Sequence, residues 1–157
     1  MRIISGSARG RRLKELQGMD TRPTTDKVKE ALSRGAEHCT FTEQRREAAA
    51  LIRENIKACG FQDRTHVVQG DAISFLSGCR EKFDLIFLDP PYQSDLLDRA
   101  LETIARFDIL REHGIIVCES AAERTIPQLE APYERGREYR YGKIKLTLFH
   151  RAGRERQ

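Results

Sequence analysis

The run Ile86-Phe87-Leu88-Asp89-Pro90-Pro91-Tyr92 has the residue types needed to grip an amine on a flat ring. A stretch of strand-like composition ends in a carboxylate, two prolines and an aromatic ring. An exocyclic amine on a base is a poor nucleophile, because its lone pair is delocalised into the ring. The Asp89 carboxylate and the Pro90 carbonyl can each accept one of its N–H hydrogen bonds. Two acceptors hold the nitrogen, favour a more tetrahedral geometry and leave the lone pair aimed at an electrophile. The prolines stiffen the loop and Pro91 offers no competing backbone donor. Tyr92 can stack on a base that has left its helix or loop. Such chemistry needs no covalent intermediate and no metal. The competing reading is an ordinary turn, since Asp-Pro-Pro is common turn chemistry. Its position after a buried strand, with an aromatic next, favours the chemical reading.

Two further acids stand where strands are expected to end, Glu43 and Asp71. In open α/β sheets ligands bind beyond the carboxyl ends of the strands. Glu43 can equally be a solvated acid. Asp71, in Gln69-Gly70-Asp71-Ala72, can equally be a helix N-cap. His38, His66, His113 and His150 are scattered and suggest no catalytic pairing.

The elements that must position these residues are legible. Glu37 to Glu43 reads as a strand, rich in β-branched and aromatic residues. Arg45 to Ala58 reads as a helix, with Ala49, Ile52, Ile56 and Cys59 near helical spacing and Gly60 as the stop. Strands are expected at Thr65 to Gln69, Phe83 to Leu88 and Gly114 to Glu119, and helices at Ala72 to Ser77 and Leu96 to Phe107. This alternation predicts an α/β domain with a mainly parallel sheet. Arg137 to Tyr141, Gly142, then Lys143 to His150 predicts a closing antiparallel hairpin. Upstream, Arg2 to Leu13 reads as a basic β-hairpin with Gly6 and Gly10 in its turn region, and Pro23 with the following Thr/Asp run marks a helix start.

Charge sharpens this picture. Residues 1–34 hold nine Lys/Arg against four Asp/Glu, and residues 134–157 hold eight against three, so each end is +5. The middle carries eleven basic and seventeen acidic residues, a net −6. Basic ends around an acidic centre fit contact with a polyanion, or tails that only aid solubility. The length of 157 residues suggests one domain. No run approaches the roughly 18 apolar residues of a membrane helix, and the N-terminus lacks a signal-peptide pattern. A cytoplasmic protein is expected. Cys39, Cys59, Cys79 and Cys118 form no C-x-x-C pair and have no His at a ligand spacing, so reduced thiols and no metal site are expected.

An apolar strand running into Asp-Pro-Pro-Tyr is the signature of amino methyltransferases. With Arg2-Ile3-Ile4-Ser5-Gly6, Arg9-Gly10-Arg11-Arg12-Leu13, Arg22-Pro23-Thr24-Thr25-Asp26, Ser33-Arg34-Gly35-Ala36 and Tyr141-Gly142, the chain resembles the bacterial 16S ribosomal RNA guanine-N2 methyltransferase D family from Arg2 to about His150. The resemblance implies a Rossmann-like class I methyltransferase fold, α/β, with a basic N-terminal β-hairpin extension and a C-terminal antiparallel hairpin. It implies a single domain over residues 1–157, with residues 1–23 facing RNA and residues 24–157 forming the core. The implied reaction moves a methyl group from S-adenosylmethionine to the N2 amine of a guanine in small-subunit rRNA. Asp89, Pro90, Pro91 and Tyr92 would be catalytic. Glu43 would bond the cofactor's ribose hydroxyls, Asp71 its adenine amine, with the Ala72 amide near the ring and Asp89 also at the cofactor. Arg2, Arg9, Arg11, Arg12, Lys14, Arg22 and Thr24 would meet RNA. A monomer whose partner is 16S rRNA in the small ribosomal subunit is expected.

The chain departs from this pattern at one place. Members carry a first core strand ending in a Gly-rich loop of the Asp-x-Phe-Ala-Gly-Ser-Gly type, before the Ser-Arg-Gly segment. Here Lys29-Glu30-Ala31-Leu32 runs straight into Ser33-Arg34-Gly35, and no Gly-x-Gly occurs anywhere. Roughly thirty residues, about one strand-plus-helix unit, are missing relative to the pattern. Family members tend to carry a Glu-Ala-Leu-like triplet on both sides of that segment, and one copy remains, at Glu30 to Leu32. Either the given chain omits residues of the protein, or the protein is a truncated member with weak or no activity. The loss should expose neighbouring strand edges. Two alternatives follow: a DNA adenine or cytosine amino methyltransferase, which shares Asp-Pro-Pro-Tyr, and an impaired RNA-binding remnant of the family.

Overall fold

The computed structural model describes residues 36–152. The N-terminal hairpin and the Arg22-Pro23-Thr24 segment therefore lie outside the described residues, as do the RNA-facing candidates Arg2, Arg9, Arg11, Arg12, Lys14, Arg22 and Thr24. The chain forms two compact units that divide after Ala72.

In the first unit, strand β1 (Cys39–Glu43) leads into helix α1 (Arg46–Cys59), a 3-10 turn (Gln62–Arg64) and strand β2 (Thr65–Gln69). The helix forms where the apolar spacing predicts it. Ala49, Ile52, Ile56 and Cys59 are all buried, on one face. It stops at Gly60, whose φ of 75° is the left-handed conformation glycine adopts without penalty. There the amides of Gly60 and Phe61 bond back to the carbonyls of Lys57 and Ile56. Phe41 of β1 and Phe61 complete a small core with Ile52, Ile56 and Cys59. β1 and β2 pair in parallel, Cys39 opposite Thr65 through Glu43 opposite Gln69.

The second unit holds most of helix α2 (Ala72–Gly78), then β3 (Phe83–Leu88), α3 (Leu96–Phe107), β4 (Leu110–Ala121), β5 (Tyr133–Tyr141) and β6 (Ile144–Arg151). Leu97, Ala100, Leu101 and Ile104 form the buried stripe of α3. They pack with Leu110, Ile116 and Cys118 of β4 and with Phe149 of β6. The sheet order is β3-β4-β6-β5. The closing hairpin is antiparallel, as expected, with Gly142 at φ 59° in its turn.

Three features differ from the sequence expectations. The four-stranded sheet is mixed, with one parallel pair (β3 and β4) and two antiparallel pairs, and the parallel β1–β2 pair is a separate sheet. Among the described residues β1 pairs only with β2, and β3 only with β4. β4 begins four residues earlier than Gly114, because Leu110 pairs with Phe83 before an irregular stretch. That stretch holds His113 at φ 61° and Gly114, where a Cβ would lie 2.7 Å from the Leu110 side chain. β5 starts at Tyr133 rather than Arg137, and its register shifts between Arg135 and Glu138.

Asp108 closes α3 in the left-handed conformation (φ 48°), which Asp tolerates better than most residues. Its carboxylate receives Arg151 at 2.7 and 2.9 Å, Lys82 at 2.6 Å and the Tyr133 hydroxyl at 3.1 Å. The Arg151 hydrogen bonds, then those of Lys82 and Tyr133, hold its carboxyl well below the usual carboxylate range. A depressed carboxylate stabilises the fold above its unfolded value of about 3.9 and loses that contribution as pH falls toward the folded one. Asp108→Asn keeps the backbone preference and removes the charge. It should cost about 1–2 kcal/mol at pH 7, less than a fully buried pair because Asp108 is part-exposed. Urea melts should show this cost at pH 7 and a flatter pH dependence of the variant's stability below pH 5.

Candidate active site

β3 delivers Asp89 directly after Leu88, at the carboxyl end of its parallel pairing with β4. Ile86 and Leu88 pack against the core of the second unit. The strand end is thereby anchored from one side, and Asp89 itself is half-buried. The next residues fold into a turn in which the Ser94 amide and hydroxyl both donate to the Pro91 carbonyl, at 3.1 and 2.8 Å. Arg124 donates to the Tyr92 carbonyl at 3.1 Å and to the Ser94 carbonyl at 2.9 Å. It also pairs with Asp98 at 3.0 Å, while Lys145 donates to the Arg124 carbonyl at 2.9 Å. None of these bonds takes the Pro90 carbonyl. Tyr92 is 38% exposed, and its hydroxyl donates to Glu119 Oε1 at 2.8 Å.

Neither Glu119 nor Arg124 was singled out among the sequence candidates. Glu119 carried a usable signal, since it ends the predicted strand Gly114 to Glu119 as Glu43 ends its own. Arg124 carried none, because it lies in an irregular segment and reaches the loop only through the fold.

In the first unit, Glu43 and Asp71 stand at the ends of neighbouring strands. The Gly70 amide donates to the Glu43 carbonyl at 3.0 Å, which ties the end of β1 to the residue before Asp71. Glu43 Oε1 accepts from the Arg45 amide at 2.8 Å, with Arg45 Nε at 3.7 Å. Asp71 is exposed and immediately precedes α2, whose first residue is Ala72. The four catalytic candidates thus form one loop of the second unit, and Glu43, Asp71 and Ala72 form one sheet end of the first.

A cavity of about 440 Å³ lies at the opposite end of β3, lined by Lys82, Asp84, Asp108, Arg111, Glu112 and Arg151. These residues pair with one another, so it is an ion-pair cluster rather than a second candidate for the chemistry. The cysteines are all free thiols, and burial pushes Cys39 and Cys118 up to about 12, far from thiolate reactivity. Among the described residues no group of His, Cys, Asp and Glu could hold a metal ion, and no helix is long and apolar enough to cross a membrane.

The family model described as "Conserved hypothetical protein 95" matches residues 1–32 and again 29–150. The two matches overlap on Lys29-Glu30-Ala31-Leu32. The chain is 33% identical to "Putative rRNA methyltransferase YlbH" of Bacillus subtilis, over 98% of this chain and 100% of the relative. That match runs over 184 residues, 27 more than the 157 of this chain. It is 27% identical to "Ribosomal RNA small subunit methyltransferase D" of Escherichia coli K12, over 96% of this chain and 90% of that protein. The solved structure "Putative methyltransferase yhhF from Escherichia coli" superposes with a TM-score of 0.84 at 24% identity, covering 97% of this chain and 98% of that one. The fold is therefore an α/β methyltransferase-like fold.

Proposed function

Because the chain belongs to the conserved hypothetical protein 95 family, we propose that it is an rRNA methyltransferase that acts on the N2 amine of a guanine in 16S rRNA of the small subunit. The observation that carries this reading is the Asp89-Pro90-Pro91-Tyr92 loop at the end of β3, with Tyr92 anchored and the Pro90 carbonyl outside the loop's own bonds. S-adenosylmethionine, when bound, supplies a methyl group on a positively charged sulfur. Asp89 and the Pro90 carbonyl accept the two N–H bonds of the amine, which frees its lone pair. Tyr92 stacks on the guanine, and Pro91 keeps the loop rigid.

The residues present fit one half of that cofactor. Glu43 suits ribose hydroxyls and Asp71 an adenine amine, since each is an acceptor at a strand end. All three site acids are carboxylates, however, and the cofactor's methionine carboxylate needs donors. A Gly-rich loop of backbone N–H groups is the usual source, and the sequence has no Gly-x-Gly. The doubled match at Lys29 to Leu32 supports a loss at that junction, and the 184-residue length of the match to the relative is in keeping with it. These observations favour a second reading, an RNA-binding family member with little or no transfer.

The two readings separate in one experiment. The purified chain is titrated calorimetrically with S-adenosylmethionine and then incubated with labelled cofactor and small ribosomal subunits lacking the modification. Saturable binding and incorporation into the RNA support the enzyme. A folded chain that binds the RNA, with an affinity that falls steeply with salt, but neither binds cofactor nor transfers methyl supports the second reading.

A further inference from the structure

The loop after β3 is tied at its aromatic residue from inside the sheet. Leu88 lies opposite Cys118, so the next residue along β4, Glu119, runs beside the point where the strand gives way to Asp89. Glu119 is 4% exposed, and a carboxylate so placed is tolerated only with hydrogen-bond partners. One of these is the Tyr92 hydroxyl at 2.8 Å. The far end of the Tyr92 side chain is thus held by a buried acceptor, while the residue as a whole is 38% exposed. Its backbone is held as well, by Arg124 on the carbonyl. Held at its backbone and at its hydroxyl, the side chain cannot swing about χ1, so the place of the ring is fixed while part of the residue stays open to solvent.

We propose that Glu119 is a positioning residue that holds the Tyr92 ring in place for stacking on the target base. The inference rests on the reading of the Asp89 loop as a base grip. A base arriving at a ring already held in place meets a smaller ordering cost for that side chain. Glu119 need touch neither base nor cofactor to act in this way.

The test uses a single-stranded RNA oligonucleotide carrying 2-aminopurine, whose fluorescence falls on stacking. An end label on the same RNA reports total binding by anisotropy. The parent chain should quench the base. Tyr92→Phe and Glu119→Leu should each weaken the quenching association about 3- to 10-fold, and the double variant should lose no more than either single. Glu119→Gln, which retains an acceptor oxygen, should keep most of the parent signal. A merely structural Glu119 would instead lower thermal stability and total binding without coupling to the Tyr92 hydroxyl. Should Glu119→Leu fail to fold, Tyr92→Phe and Glu119→Gln decide the matter from the exposed side of the same bond. Quenching unchanged in Tyr92→Phe, or a Glu119 effect that persists in the Tyr92→Phe background, overturns the positioning role and leaves the base grip standing. RNA binding by anisotropy with no quenching in the parent overturns the base grip and the positioning role together.

Discussion

Asp89→Ala should lower methyl transfer to unmodified small ribosomal subunits by about 100-fold or more while leaving RNA affinity within about twofold of the parent. The carboxylate is one of two acceptors available to the amine, and the other, the Pro90 carbonyl, is fixed by the backbone. Without Asp89 the amine can rotate back into conjugation with its ring, and the near-attack geometry is lost. On the proposed reading the effect belongs in kcat, because Tyr92 and the basic residues proposed to meet the RNA are unchanged. Asp89→Asn should fall between the two, since it keeps one acceptor oxygen and adds a donor that opposes the amine. The measurement is labelled methyl incorporation at saturating RNA. Transfer by a folded Asp89→Ala chain as fast as by the parent would sink the assignment.

A larger gain is expected from insertion than from any point change. Placing at the Lys29–Leu32 junction the residues that the Bacillus subtilis relative carries in excess of this chain should tighten S-adenosylmethionine binding by about 100-fold or more. The reasoning is electrostatic. Hydrogen bonds from backbone N–H groups to a carboxylate contribute about 1.5–3 kcal/mol each, and two of them suffice for that factor. Calorimetry on the parent and the insertion variant measures it. Equal affinity in both chains would mean that the present residues hold the whole cofactor, and that the donor deficit inferred from Glu43, Asp71 and Asp89 is not real.

Much of the candidate site was legible because strong local signals coincide there. Phe83 to Leu88 is an unbroken strand-like run whose bounds the structure reproduces, and the prolines that follow admit few conformations. The α1 stop at Gly60 and the buried stripe at Ala49, Ile52, Ile56 and Cys59 were equally plain. What escaped depends on pairing at a distance. The first residues of β4 escaped because the expected strand began only at Gly114, whereas an irregular stretch before Ile115 lies within the observed strand. The first half of β5 was hidden because it is an edge strand rich in Glu and Arg, held by β6 rather than by its own pattern. A mainly parallel sheet followed from counting alternations, yet β6 inserts between β4 and β5 and makes the larger sheet mixed. Glu119 had a signal as the end of its expected strand, but its link to the Asp89 loop emerged only once register set it beside that strand end.

The two cores are unequal, and amide hydrogen exchange should feel this. The first rests, among the described residues, on Phe41, Ile52, Ile56, Cys59 and Phe61 beneath a sheet of two strands. The second spans two helices and four strands, with Leu101, Ile104, Leu110, Ile116 and Phe149 wholly shielded from water. Opening of a two-stranded parallel pair releases little apolar surface, so it needs less free energy than opening the larger sheet. Deuterium should therefore enter the β1 and β2 amides well before those of β4 and β6. Glu43 and Asp71, the acids proposed to face the nucleoside, would then sit on the more readily opened of the two described sheets, and the loop proposed to grip the amine on the slower one.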